Sequence, residues 1–198
     1  VDQQLFASNI QQQTERLQQL VERLLILVRL EQQSTEFVLQ PSNLSQLVAD
    51  CVQARHSVLL SRQIQISNSL PDQLWVMADP FWLGQAIGNL LDNAIEFTPV
   101  QGEIRLRQDH DQQQTHLMLE NDGEPIPDYA LSQVFDRYYS LPRPATGRKS
   151  SGIGLTLVKE IMQRHQGAVT LDKSPNGICA RLWLAHANSN TDHDTTAA

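Results

Sequence analysis

Two pairs of alternating apolar segments, each folded about a polar turn, restrict this chain more than any other feature of its sequence. Ile104 and Leu106 are followed, across Asp109 to Gln114, by Thr115, Leu117 and Leu119; Ala168 to Leu171 is followed, across Pro175-Asn176-Gly177, by Ile178 to Leu184. Alternation with a period of two on both sides of a short turn predicts strand pairs with one buried face each. Such a face needs a cover. Helical spacing supplies it twice: in Leu44, Leu47, Val48, Cys51 and Val52, where Pro41 breaks the chain and Ser42 or Asn43 serves as cap, and in Leu83, Ile87, Leu90, Leu91 and Ala94. The second helix is opened by Asp79-Pro80, a cap acceptor followed by proline in the first turn, and is predicted to run to about Phe97. Ile64-Gln65-Ile66 and Leu74 to Met77 read as further short strands. The expected fold is α+β, a two-layer α/β sandwich of one mixed sheet with helices on one face.

The 198 residues, 40% of them hydrophobic, suffice for one domain and an appendage. With 22 acidic against 15 basic residues and a net charge of −7, the chain has no basic stripe, which argues against nucleic acid as a partner. Cys51 and Cys179 fit no metal-ligand spacing and read as reduced, buried thiols. From Leu5 to about Gln33, the residues Phe6, Ile10, Leu17, Leu20, Val21, Leu24, Leu27 and Val28 form one stripe. This predicts a long amphipathic N-terminal helix. Its heptad-like spacing suggests pairing with another copy or with a preceding helix, rather than folding back on the domain. The run Leu24 to Val28 is far shorter than the roughly 20 residues of a spanning helix, so any membrane anchor is expected in a part preceding this chain. The expected units are 1–40 (helix and linker), 41–185 (domain) and 186–198 (a polar, disordered tail).

Three short segments carry possible chemistry. Asn89 and Asn93, four apart on the Asp79 helix, share one face, taken to be exposed. An amide oxygen is a neutral, hard ligand that Mg²⁺ accepts beside waters and phosphate oxygens; paired Asn residues also commonly do no more than solvate a helix. Asn121-Asp122-Gly123-Glu124-Pro125-Ile126-Pro127 follows a strand and, alone, is a turn in which Gly lets backbone approach a ligand. Lys149-Ser150-Ser151-Gly152-Ile153-Gly154-Leu155 enters a helix ending near His165, and glycines at a helix start free backbone N–H groups for an anion. Before it, Leu141 to Ser151, with Arg143, Arg148 and Lys149, reads as a mobile lid or a plain surface loop.

In this order and spacing, the three segments resemble the N, G1 and G2 boxes of the histidine-kinase catalytic domain, and Val134-Phe135-Asp136-Arg137-Tyr138-Tyr139 is similar to its F box. The resemblance covers roughly Pro41 to Leu184. The N-terminal helix resembles the second helix of a dimerisation and phosphoacceptor domain, while Ile126 to Ser132 and Tyr139 to Arg143 resemble CreC-type sensors. The resemblance implies the Bergerat ATP-binding fold, with ATP and Mg²⁺ as cofactors. Asn93 would ligate the metal with help from Asn89. Asn121, Asp122, Gly123, Ile126 and Phe135 would bind nucleotide, as would Ser151, Gly152, Ile153, Gly154 and Leu155, and Arg148 or Lys149 would meet the outermost phosphate. Asn89, Asn93 and Arg148 are the implied catalytic residues.

Hydrolytic relatives keep a water-activating glutamate where this chain has Asn89, so the resemblance favours phosphoryl transfer to a protein over ATP hydrolysis. None of His56, His110, His116, His165, His186 and His193 stands in an acceptor-like setting. The implied acceptor is therefore a histidine on an absent first helix. The implied partners are that helix, a second subunit in a homodimer, and a response regulator, on the cytoplasmic portion of a bacterial inner-membrane sensor. The alternative is a degenerate nucleotide-sensing or phosphatase-supporting module, favoured by three departures: Asn121 in place of an adenine-reading Asp, Pro125 in place of Gly, and Glu96 in place of a phosphate-contacting Lys.

Overall fold

The computed structural model describes residues 37–110, 114–144, 147 and 149–186, together with Phe6, Ile10, Thr14, Gln18, Val21, Leu24, Leu25, Ile26 and Val28. Those nine N-terminal positions are helical, and all but Ile26 are exposed; Ile26 packs against the edge of the domain core. Most of the expected N-terminal helix, and the expected tail beyond His186, lie outside the described residues.

Among the described residues, seven strands and five helices follow: β1 (Gln40–Asn43), α1 (Leu44–Gln53), α2 (His56–Ser61), β2 (Gln65–Asn68), β3 (Trp75–Ala78), α3 (Pro80–Phe97), β4 (Glu103–His110), β5 (Gln114–Asp122), α4 (Asp128–Leu131), α5 (Gly154–Arg164), β6 (Ala168–Ser174) and β7 (Gly177–Ala185). The main sheet runs β2-β4-β5-β7-β6, with β2 parallel to β4 and the remaining pairs antiparallel. Both hairpins expected from the alternation form, and the fold is the mixed-sheet α+β sandwich. Helix α3 lies at the centre of the helical layer, against α1 on one side, α5 on the other and β5 beneath. Leu83, Ile87, Leu90, Leu91 and Ala94 are all buried there, as are Leu157, Val158, Ile161 and Met162 of α5.

One local expectation is corrected. Pro41 does not break the chain but sits in β1, opposite Met77 of β3 in a separate two-stranded sheet. An edge strand tolerates proline because one side of it needs no ladder donor. Asn43, rather than Ser42, caps α1, its Oδ1 accepting from the backbone N–H of Ser45 and Gln46.

Both ends of α3 are tied down. Asp79 Oδ1 accepts from Phe81 N and Trp82 N, each at 3.1 Å, and Asp79 Oδ2 accepts from Val38 N at 3.0 Å. At the other end the Arg62 guanidinium donates to Ile95 O and to Thr98 O, where positive charge meets the negative helix terminus. His165 joins the first of these anchors to α5. Its Nε2 accepts from Asp79 N at 3.1 Å, so the proton sits on Nδ1, 2.9 Å from Ile161 O, and the ring stands edge-on to Phe37.

Burial lowers the His165 pKa below its ordinary value of 6.5. The unfolded ring therefore takes a proton that the folded ring resists, so this contribution is intact above pH 6.5 and is lost as pH falls. Denaturant midpoints should drop between about pH 7.5 and about pH 5.5, and His165→Gln should flatten that drop. Equal slopes for the two proteins would contradict the assignment.

Candidate nucleotide-binding site

A cavity of about 350 Å³ opens between α3, the ends of β5 and β7, and the segment joining β5 to α5. Its floor is apolar, made by Leu90 and Ala94 of α3, Leu119 of β5 and Ala180 of β7. Its roof is a small second cluster in which Ile126, Ala130 and Val134 pack against Ile178, with Tyr139 and Leu141 beside them. An apolar slot with a few converging polar groups is the usual form of a small-ligand site.

Of the residues expected from the sequence, Asn93, Asn121, Ile126, Gly152, Gly154 and Leu155 line this one cavity. The Asn93 Nδ2 is buried with no hydrogen-bond partner among the described residues. A buried, unsatisfied amide is costly, so its position in a cavity wall points to a ligand partner. Asn121 is 4% exposed and lies on the core face of β5. Its Nδ2 donates to Asp122 O at 2.8 Å, which leaves Oδ1 as an acceptor.

Asn89 departs from expectation. It is 8% exposed rather than on an open stripe, and its Nδ2 donates to Gln85 O of its own helix. Its Oδ1 would lie 3.1 Å from a Cβ on Gly154, so the start of α5 rests on Asn89. Asn89 faces the groove on the far side of that contact, together with Arg55 and Asp92, and does not line the cavity. Asp122 also turns away. It follows Asn121 in a strand and must project to the opposite face; there it accepts from Glu103 N at 3.0 Å and from Arg105 Nη1 at 2.8 Å. Gly123, Phe135, Lys149, Ser151 and Ile153 surround the cavity without lining it, and Arg148 lies outside the described residues.

These surrounding residues hold the walls. Gly123 has φ +147°, and a Cβ there would come within 2.6 Å of Phe97 O, so the turn after β5 passes tightly under the end of α3. Gly152 has φ +67°, and a Cβ would meet the carbonyl carbon of Tyr138 at 2.4 Å, while Tyr138 N donates to Gly152 O at 3.0 Å. Thr156 Oγ1 donates to Phe135 O, fixing the F-box-like turn to α5. The loop before Gly152 is closed by a bridge between Pro142 and Lys149 and by Ser140 Oγ donating to Ser150 O. Helix α5 starts after Ile153 with no side-chain cap. Its first N–H groups, with the positive end of the helix dipole, are therefore directed to the cavity edge.

Sequence reasoning did not single out Tyr129, Tyr139 and Leu141 as site residues, though all three line the cavity, and it named Arg143 only as a cation of the loop. The Arg143 Nη2 lies 2.5 Å from Glu96 Oε1. Glu96 thus faces a cation of the loop. Among the described residues no cluster of three His, Cys, Asp or Glu side chains could hold a metal ion. The donor set suits a metal held mostly by a ligand's own oxygens and water, with a single amide from the protein.

Comparison with known proteins agrees with this geometry. Residues 78–188 match the family described as histidine kinase-, DNA gyrase B-, and HSP90-like ATPase. The chain is 44% identical over 180 residues to the sensor protein CreC of Escherichia coli, covering 90% of this chain and 37% of that protein, so it spans less than half the length of this relative. The mycobacterial sensor histidine kinase MprB superposes with a TM-score of 0.65 at 26% identity, over 75% of this chain and 98% of that structure. The histidine kinase ThkA, in complex with the response regulator TrrA, superposes with a TM-score of 0.73 at 20% identity, over 91% of this chain and 50% of that structure. With the apolar slot, the unsatisfied amide of α3 and the uncapped start of α5 all inside the matched segment, the chain belongs to the histidine kinase-, DNA gyrase B- and HSP90-like ATPase family.

Proposed function

We propose that this chain is the Mg-ATP-binding catalytic domain of a sensor histidine kinase, and that it directs the γ-phosphoryl group to a histidine outside the chain for relay to a response-regulator aspartate. The observation that carries this reading is the unpartnered Asn93 Nδ2, a donor that a phosphate oxygen would satisfy while Oδ1 stays available to a metal, in the same cavity as the glycine-opened start of α5. Bound Mg-ATP supplies the transferable phosphoryl group. Asn93 holds the metal through its amide oxygen. Asn121 Oδ1 accepts from the adenine amino group, and the N–H groups opening α5 hold phosphate oxygens. Asn89 acts by seating Gly154 against α3, and as an amide it cannot serve as the base for hydrolysis. The chain's work is positioning and charge neutralisation.

The partner set rests on the relatives. CreC is named a sensor protein and ThkA is seen in complex with a response regulator, which supports a response regulator as partner; a second subunit, and a membrane-attached sensor whose cytoplasmic portion includes this chain, belong to the same proposal. The exposed Phe6, Ile10, Val21, Leu24 and Val28 suit a partner helix. Among the described residues no helix is long and apolar enough to cross a membrane.

The test is phosphotransfer. Labelled ATP given to a longer form that includes the preceding helix should label a histidine there, and the label should pass to an aspartate of the cognate regulator. Nucleotide binding without any labelled histidine would instead support the degenerate sensing module, which Asn121, a neutral acceptor in place of the family's Asp, and Pro125 in the cavity wall both favour.

A further inference from the structure

We propose, resting on the nucleotide role given to Asn93 above, that Arg55 is a positioning residue for that role. It does not touch the cavity. It grips the turn of α3 that carries Asn89 and Asn93, and so fixes the direction in which Asn93 presents its amide.

Arg55 lies in the turn between α1 and α2, and its guanidinium reaches α3 at two points. Nε donates to Asp92 Oδ1 at 2.7 Å, and Nη2 donates to Gly88 O at 2.9 Å. Nη1 donates to Cys51 O at 3.0 Å, which ties the same group back to α1. Gly88 and Asp92 are four apart and stand one residue before Asn89 and Asn93, so the fork holds the helical turn from which both amides project. Gly88 makes this approach possible, because a Cβ there would lie 2.8 Å from Arg55 Nη2. With the Arg55 side chain only 19% exposed, its bonds form in a partly dry groove, where they are stronger than at the open surface. A planar fork meets all three acceptors at once, which a Lys ammonium on a flexible stem does not.

The apolar contacts of α3 fix its rotation less sharply. Leu83, Ile87, Leu90, Leu91 and Ala94 are held by burial, which has no preferred direction, while Asp79 and Arg62 act at the two ends. Asn89 has anchors of its own, in its bond to Gln85 O and its contact with Gly154. The Asn93 Nδ2 has no partner among the described residues, so the aim of this amide is left to the backbone of α3. Rotating a helix by about 20° carries a Cα on its roughly 2.3 Å radius by about 0.8 Å, and the end of a side chain further. Misplacing a positioned group by about 1 Å is enough to cost about a hundredfold in a reaction. The clamp of Arg55 on Gly88 and Asp92 opposes that rotation at the level where it matters.

Calorimetric titration with adenosine and Mg-ADP, beside unfolding midpoints for each variant, tests this. Gly88→Ala separates positioning from stability: its methyl displaces Nη2, the mobile end of Arg55, while alanine suits a helix better than glycine. The midpoint should hold or rise, yet Mg-ADP should bind about tenfold more weakly, with adenosine unchanged. Arg55→Lys should show the same selective loss. In an Asn93→Ala background neither substitution should weaken Mg-ADP further, because the residue through which Arg55 acts is gone. Losses that add in full to that of Asn93→Ala, adenosine weakened as much as Mg-ADP, or normal binding of both ligands by Gly88→Ala would each overturn the proposal. Adenosine bound by the unaltered chain leaves the nucleotide role of the cavity standing in all three cases. Failure of the unaltered chain to bind either ligand overturns that role and the proposal together.

Discussion

Asn93→Ala should reduce Mg-dependent nucleotide affinity by about a hundredfold or more, the loss expected when a buried polar group facing a charged ligand is removed. The fold should survive, because the Asn93 Nδ2 has no partner among the described residues to lose and its removal relieves a buried, unmet donor. Unfolding midpoints should therefore stay level or rise slightly without nucleotide, while the shift produced by Mg-ADP disappears. For the unaltered chain, ligand at a hundred times its dissociation constant adds about 2.7 kcal/mol of stability. A variant that keeps this shift would remove Asn93 from the site. Asn89→Ala should behave differently, lowering stability first, because Asn89 bonds its own helix and supports Gly154.

Gly152→Ala is the second large effect. The added methyl would meet backbone atoms of Tyr138 at 2.4 Å and Tyr139 O at 2.6 Å, neither of which can yield as a flexible side chain would, and φ is +67°. The left-handed conformation alone costs a residue with a Cβ about 1–2 kcal/mol, and the contact adds to it. The chain from Tyr138 to Gly152 must move, with the Tyr138 N to Gly152 O bond and the cavity wall it supports. Nucleotide affinity should fall at least about tenfold with a stability loss of about 2–3 kcal/mol. Gly84→Ala is the control: nothing lies within 4 Å of its Cβ position, and within a helix it should be neutral or add up to about 1 kcal/mol. Unchanged Mg-ADP affinity in Gly152→Ala would contradict the role given to this turn.

The parts of the fold fixed by local chemistry were legible in the sequence. Helix α3 runs from Pro80 to Phe97 because Asp79 caps it, Pro80 starts it and its apolar residues repeat at helical spacing. Both hairpins follow from period-two alternation. Pro41 was misread because its tolerance depends on β1 being an edge strand, a fact of sheet order. Asn121 and Asp122 were assigned together because the segment was read as a turn; β5 extends through Asp122, and strand geometry then sends them to opposite faces. Spacing placed Asn89 and Asn93 on one helix face correctly. What divides them is α5, whose start settles on Asn89, and only the packing of helices distant in sequence decides that. The meeting of Arg143 with Glu96, 47 residues earlier, had no sequence signal at all.

A crystal of this chain grown with Mg-ADP is the most direct test. Density should place the adenine beside Asn121 under Ile126, the metal at Asn93, and the phosphates at the start of α5 near Gly152 and Gly154. A nucleotide seated instead in the groove of Asn89, Arg55 and Asp92, or a metal bound away from Asn93, would contradict the site.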